Sequence, residues 1–94
     1  MSTTATATVQ LENNDVRVTR WDFPPGTQTG SHTHEYDYVV VPTVGGTLTV
    51  VSDEGTLERE IVSGLSYAGE AKTKHNVHNL TSENVSFVEV ELKK

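Results

Sequence analysis

The 94-residue sequence contains no cysteine, which excludes a disulfide framework, a thiol nucleophile and a thiolate ligand. Aromatic residues make up 6% of the chain and the whole hydrophobic set 34%, so the core is small and gains from a partner chain or a metal. Basic residues are few: seven Lys and Arg stand against 13 Asp and Glu, a formal net charge of −6. Such a chain lacks the basic stripe that displaces counterions from phosphates, and nothing in it suits an anionic membrane surface. Lys93-Lys94 is its one adjacent basic pair. No apolar run approaches the ~20 residues of a membrane-spanning helix. The first eight residues show no basic region followed by an apolar run, so they do not read as a secretory signal. The expectation is a soluble, cytoplasmic protein with no nucleic-acid or membrane partner.

What the chain has instead is Thr and Val, both β-branched and suited to strands. Val9-Gln10-Leu11 and Val16–Trp21 alternate around the turn former Asn13-Asn14-Asp15. Pro24-Pro25-Gly26 opens a loop that runs to His34. Tyr38-Val39-Val40-Val41 reads as a strand that Pro42 ends or bends at a bulge, because proline cannot donate to a ladder. Gly45-Gly46 reads as a tight hairpin turn into Thr47–Val51, and Asp53-Glu54-Gly55 as a second, into Thr56–Val62. Val85–Leu92 alternates to the end of the chain. No segment carries helical periodicity. Short strands at this spacing indicate an all-β fold, a single small antiparallel β-barrel or sandwich over residues 9–94. Residues 1–8 read as a Thr/Ala leader, frayed or donated as an edge strand to a neighbouring subunit.

Four histidines occur, at positions 32, 34, 75 and 78. Two residues apart on a strand, His32 and His34 aim their rings at one point, the usual start of a metal site. His75 follows a glycine-containing loop, and an antiparallel barrel can carry it beside the first pair. Neutral imidazoles suit Zn, Fe, Ni and Cu, and three of them leave positions open for water or substrate. Taken singly, each of these histidines reads as an exposed loop residue.

The spacing around them resembles the cupin family. Gly26, five residues, His32-Thr33-His34, three residues, Tyr38, six residues and Gly45 keep the register of the first cupin motif. Gly64, five residues, Glu70-Ala71-Lys72, two residues, His75, three residues and Asn79 keep that of the second. The resemblance implies a small single-domain, RmlC-like cupin of jelly-roll type. It also implies a divalent transition metal (Fe, Zn, Ni, Mn or Cu) on His32, His34 and His75. Two departures stand out. Tyr38 occupies the place of the family's glutamate ligand, and Glu70 and Lys72 replace its P-x-G.

Tyr38 shares the parity of the two histidines and reads either as an acid or hydrogen-bond donor over the site, or as a core tyrosine. The remaining candidates for a fourth ligand or pocket wall are Glu70, His78 and Tyr36, with Tyr67 as a further wall. Glu35 and Asp37 point away unless a bulge re-aims one. His78 falls on the opposite side of its strand from His75. Asn79 reads as a loop fixture, and Trp21 and Phe23 as core or dimer contacts. The family resemblance implies binding or conversion of a small oxygen-rich organic molecule, by dioxygenase-, isomerase- or lyase-type chemistry. The alternatives are a non-catalytic small-molecule- or metal-binding module, and a barrel serving mainly for dimerisation. A homodimer is expected.

Overall fold

The computed structural model describes residues 3–93, and among them there are nine strands and no helix. In chain order they are β1 (Thr6–Glu12), β2 (Val16–Phe23), β3 (His32–Thr33), β4 (Asp37–Val44) and β5 (Gly46–Ser52). Then come β6 (Gly55–Ile61), β7 (Tyr67–Gly69), β8 (Lys74–His78) and β9 (Val85–Leu92). Five strands form one sheet in the order β1-β2-β9-β4-β7, and four form the other in the order β3-β8-β5-β6. Every strand pairing is antiparallel. The two sheets face each other as a jelly-roll sandwich instead of closing into one continuous ladder.

Cross-strand partners share a face, so the registers fix what points inward. Phe23, Val85 and Phe87 from the larger sheet meet Leu48, Ile61 and Val77 from the smaller one. The Phe23 and Phe87 rings stand 5.5 Å apart. Asn79 is fully buried beside them. Its Nδ2 donates to the carbonyls of Phe23 (2.8 Å) and Glu83 (2.7 Å), and its Oδ1 accepts from the Thr81 N–H and hydroxyl. Its backbone also bonds to Gly26 and Thr27, so the expected loop fixture ties both motif loops together.

Three local readings gain detail. Gly45-Gly46 is not a hairpin turn, because β4 pairs with β7 and β9 while β5 pairs with β6 and β8. It is the corner where the chain changes sheets. Side chains are excluded there by the Ile61 carbonyl against Gly45 and the Val85 side chain against Gly46. Second, Thr6–Thr8 belong to β1 and pair with β2 of the same chain, and Ala5 is buried with its N–H on the Gln28 carbonyl. β1 thus begins within the expected leader and lies at the edge of the larger sheet. Met1 and Ser2, like Lys94, lie outside the described residues. Third, Pro42 stays within β4 next to a register shift between Pro42 and Val44, the bulge alternative of the sequence reading. The turns at Asn13–Asp15 and Asp53–Gly55 are hairpins as expected.

Candidate metal centre

Gly30, at φ 87, turns the loop into β3, where His32 pairs directly opposite His75 on β8. His34 lies one residue beyond β3, held by its N–H to the Thr73 carbonyl (2.9 Å) and by its own carbonyl, which accepts from Lys72 N–H (2.7 Å). The result is convergence. His32 Nε2 lies 3.2 Å from His34 Nε2, which lies 3.1 Å from His75 Nε2. His32 Nδ1 sits 2.9 Å from the Gly30 carbonyl, which can only accept, so Nδ1 carries the proton and Nε2 presents a lone pair.

Burial holds the His34 imidazole down to about 4, with help from the neighbouring His32 and His75. Burial followed by His32 does the same for His75. Both rings are therefore neutral at physiological pH, each with one N–H and one lone-pair nitrogen. With the N–H on Nδ1, as the Gly30 carbonyl sets it for His32, each Nε2 offers a lone pair that a cation accepts. Two imidazole nitrogens each ~2.0–2.1 Å from one Zn²⁺ stand roughly 3 Å apart. The observed spacings of 3.1 and 3.2 Å match, and the donor set fits a divalent transition metal.

Tyr38 lies flat on His34, with ring centroids 4.0 Å apart and planes at 24°. Burial pushes its hydroxyl up to about 12, so it keeps its proton and presents a donor. Room for the ring comes from Gly69, its cross-strand partner on β7, where any Cβ would fall inside the ring. The glycine and the tyrosine are one feature. On its other side the histidine cluster opens into a cavity of about 210 Å³ between the sheets, walled by Trp21, Val40, Leu48, Arg59, Tyr67 and Glu89 among others. Trp21 is thus a cavity wall, and Tyr67 lines the pocket as expected.

Two site carboxylates escaped the sequence reading. In β9 the Val-Glu alternation suggests valines inside and glutamates outside. The structure reverses it: Glu89 and Glu91 are buried and Val88 and Val90 less so. The available signal was parity with Phe87 and Val85, which share their face. Glu91 is held by a bidentate contact from Arg17, at 2.9 and 3.0 Å. Glu89 makes no such pair, and burial, then the Glu91 charge, pushes its carboxyl up to about 7. His34, Glu89 and Glu91 offer ligand atoms within 4.8 Å of one another.

The other candidates lie elsewhere. Glu70 is exposed, its carbonyl capping the turn to Thr73, because the Gly69–Lys74 loop folds outward. His78 pairs with Thr49 on the opposite side of β8 from the cluster. Tyr36 sits half-buried in the bend before β4, outside the cavity wall. Asp37 is turned outward and accepts the Ala71 N–H at 2.8 Å. Glu35 is exposed.

The chain is similar to known proteins over almost its whole length. The family model for the cupin domain matches residues 19–91. The beta-alanine degradation protein BauB of Pseudomonas aeruginosa is 46% identical over 89 residues, which is 95% of this chain and 94% of that protein. The crystal structure of a cupin domain from Bordetella pertussis Tohama I is 43% identical with a TM-score of 0.94, covering 97% of this chain and 95% of that one. A protein with a double-stranded β-helix domain from Klebsiella pneumoniae shares the fold at 22% identity, with a TM-score of 0.80 and coverage of 96% and 77%. With two sheets, both histidine motifs and these matches in agreement, the chain belongs to the cupin domain family.

Proposed function

We propose that His32, His34 and His75 hold one divalent transition metal, Fe, Zn, Ni, Mn or Cu. The adjoining cavity then takes a small oxygen-rich organic molecule for dioxygenase-, isomerase- or lyase-type conversion. The observation that carries this reading is the meeting of three histidine Nε2 atoms at the wall of a cavity between the sheets. When bound, such a metal supplies Lewis acidity for a carbonyl or enolate oxygen and, if redox-active, dioxygen chemistry.

The chain's own residues supply the rest. The apolar walls exclude water from the reacting molecule. Tyr38, protonated across the physiological range, donates a hydrogen bond or proton from beside His34. Glu89, a carboxyl pushed up to about 7, accepts a proton on the same wall. The name of the Pseudomonas relative points toward short aliphatic metabolites without specifying a reaction. A second reading, a non-catalytic binding module, is favoured by the replacement of the family's glutamate ligand with Tyr38.

A cytoplasmic homodimer completes the proposal. Exposed Val9 and Leu11 on the edge strand β1 support pairing between copies. Metal analysis on protein purified without a metal-affinity tag tests the centre. His32→Ala and His75→Ala lose most of the metal, whereas His78→Ala and Tyr38→Phe keep it. Equal metal in all four variants rejects the centre. Turnover of dicarbonyls, catechols or uronates by the loaded protein separates the enzyme from the binding module.

A further inference from the structure

Among the described residues, Arg59 is the one Lys or Arg in the wall of the cavity. It sits on β6 opposite Leu48 and faces the interior with it. Its strand neighbours Glu58 and Glu60 have the opposite parity, and Glu60 is engaged with the Thr47 hydroxyl at 3.0 Å. Among the described residues the ion pairs involve Arg17, Arg20 and Lys93, and none involves Arg59. What holds it is Tyr67: the guanidinium carbon stands 3.7 Å over the ring centroid. The ring covers one side of the guanidinium, and a side-chain hydrogen bond between Arg59 and Tyr67 uses part of its donor set, which leaves the remaining N–H groups for a ligand. A held guanidinium that faces a cavity and makes no ion pair is a receptor for an anion.

We propose that Arg59 is the recognition residue for a carboxylate, and that the molecule taken by the cavity is a short aliphatic monocarboxylate. This rests on the reading of the cavity as the substrate chamber. The carboxylate pairs with the Arg59 fork, the carbon chain packs on Val40, Leu48 and Ile61, and the far end reaches His32 and His75, which line the same cavity. Size selects a short chain, since about 210 Å³ falls below the ~300–1,000 Å³ of sites for drug-sized ligands. Charge selects a monoanion. One guanidinium faces the cavity, Glu89 shares its wall, and the chain carries a net −6, all unfavourable to a phosphate dianion.

Trp21 lines the same cavity and is the only tryptophan, so its fluorescence reports on occupancy. The experiment titrates chelator-treated, metal-free protein with propanoate and butanoate, and in parallel with propanamide and butanamide, at constant ionic strength. Wild type gives a saturable change with the carboxylates, and the amides bind about tenfold more weakly or worse, as loss of a charge-assisted pair requires. Arg59→Met weakens carboxylate binding by about the same factor and leaves amide binding unchanged. Arg59→Lys, which keeps the charge but loses the fork, falls between. Equal binding of carboxylate and amide by wild type, no saturable change at all, or full carboxylate affinity in Arg59→Met overturns the proposal. If circular dichroism shows Arg59→Met misfolded, the wild-type and Arg59→Lys comparisons decide. The metal content of Arg59→Lys, measured separately, stays at the wild-type level, so failure of the carboxylate site and failure of the metal centre are distinguishable.

Discussion

Gly69→Ala tests whether the tyrosine in place of the family's glutamate is built into the fold. The glycine has no positive φ to preserve, so an alanine suits its backbone. The obstacle is the Tyr38 ring, inside which the new methyl would fall. The ring is 6% exposed and packs on the His34 imidazole with centroids 4.0 Å apart, so moving it breaks that contact and pushes it into the cavity. Either Tyr38 leaves its rotamer or β7 moves outward, an overpacking cost of about 1–3 kcal/mol. At about 2 kcal/mol the Tm of a domain this size falls by roughly 8–16 °C. In a Tyr38→Ala background the ring is gone and the same methyl enters vacated space, so the Gly69→Ala step costs less than about 0.5 kcal/mol. Urea unfolding of the four proteins in chelator measures a coupling of about 1.5–2 kcal/mol. If Gly69→Ala costs the same in both backgrounds, or nothing in either, the reasoning is refuted.

Other outcomes follow from the buried polar groups. His34 and His75 fall from 6.5 to about 4 on folding, so between those values the unfolded chain binds more protons. Their contribution is complete above pH 6.5 and is lost as the pH drops toward 4. In Glu89→Gln, which removes the opposing carboxyl, metal-free protein that stays equally stable from pH 7 to 4.5 contradicts this. Glu89 has the opposite sign: raised from 4.5 to about 7, it stays protonated in the folded chain after the unfolded chain has released its proton. Stability therefore falls as the pH rises through that window, and Glu89→Gln gains up to about 3 kcal/mol at pH 8 and little at pH 5. A chemical-denaturation series across pH that shows no gain at pH 8 rejects an unpaired buried carboxylate. Asn79→Ala leaves the Phe23 and Glu83 carbonyls without their donor. It costs about 2–4 kcal/mol by equilibrium unfolding, and a loss under 1 kcal/mol would mean the clip is dispensable.

The strands of the larger sheet were legible because alternation and turn chemistry are local. Asn13–Asp15 and Asp53–Gly55 declare hairpins through backbone preferences that need no distant partner. Gly45-Gly46 misleads for the same reason, since two glycines mark a tight place in the chain without saying what crowds it. Here the crowding comes from Ile61 and Val85, which are remote in sequence. His32 and His34 could be paired from their spacing and His75 added through the resemblance to the cupin motifs, but the pairing that puts His32 opposite His75 belongs to the β3–β8 ladder.

The amino-acid order by itself determined which residues alternate, where the chain turns and which imidazoles were available as ligands, because each follows from neighbours a few residues apart. It could not determine which side of β9 is inward. Alternation groups Glu89 with Phe87 and separates both from Val88, but packing against the second sheet chooses the buried face. The same packing seats Tyr38 over Gly69, stacks Arg59 on Tyr67 and leaves a cavity beside the histidines. These arrangements bring together side chains far apart in sequence, and their energies exist only once both sheets are in place.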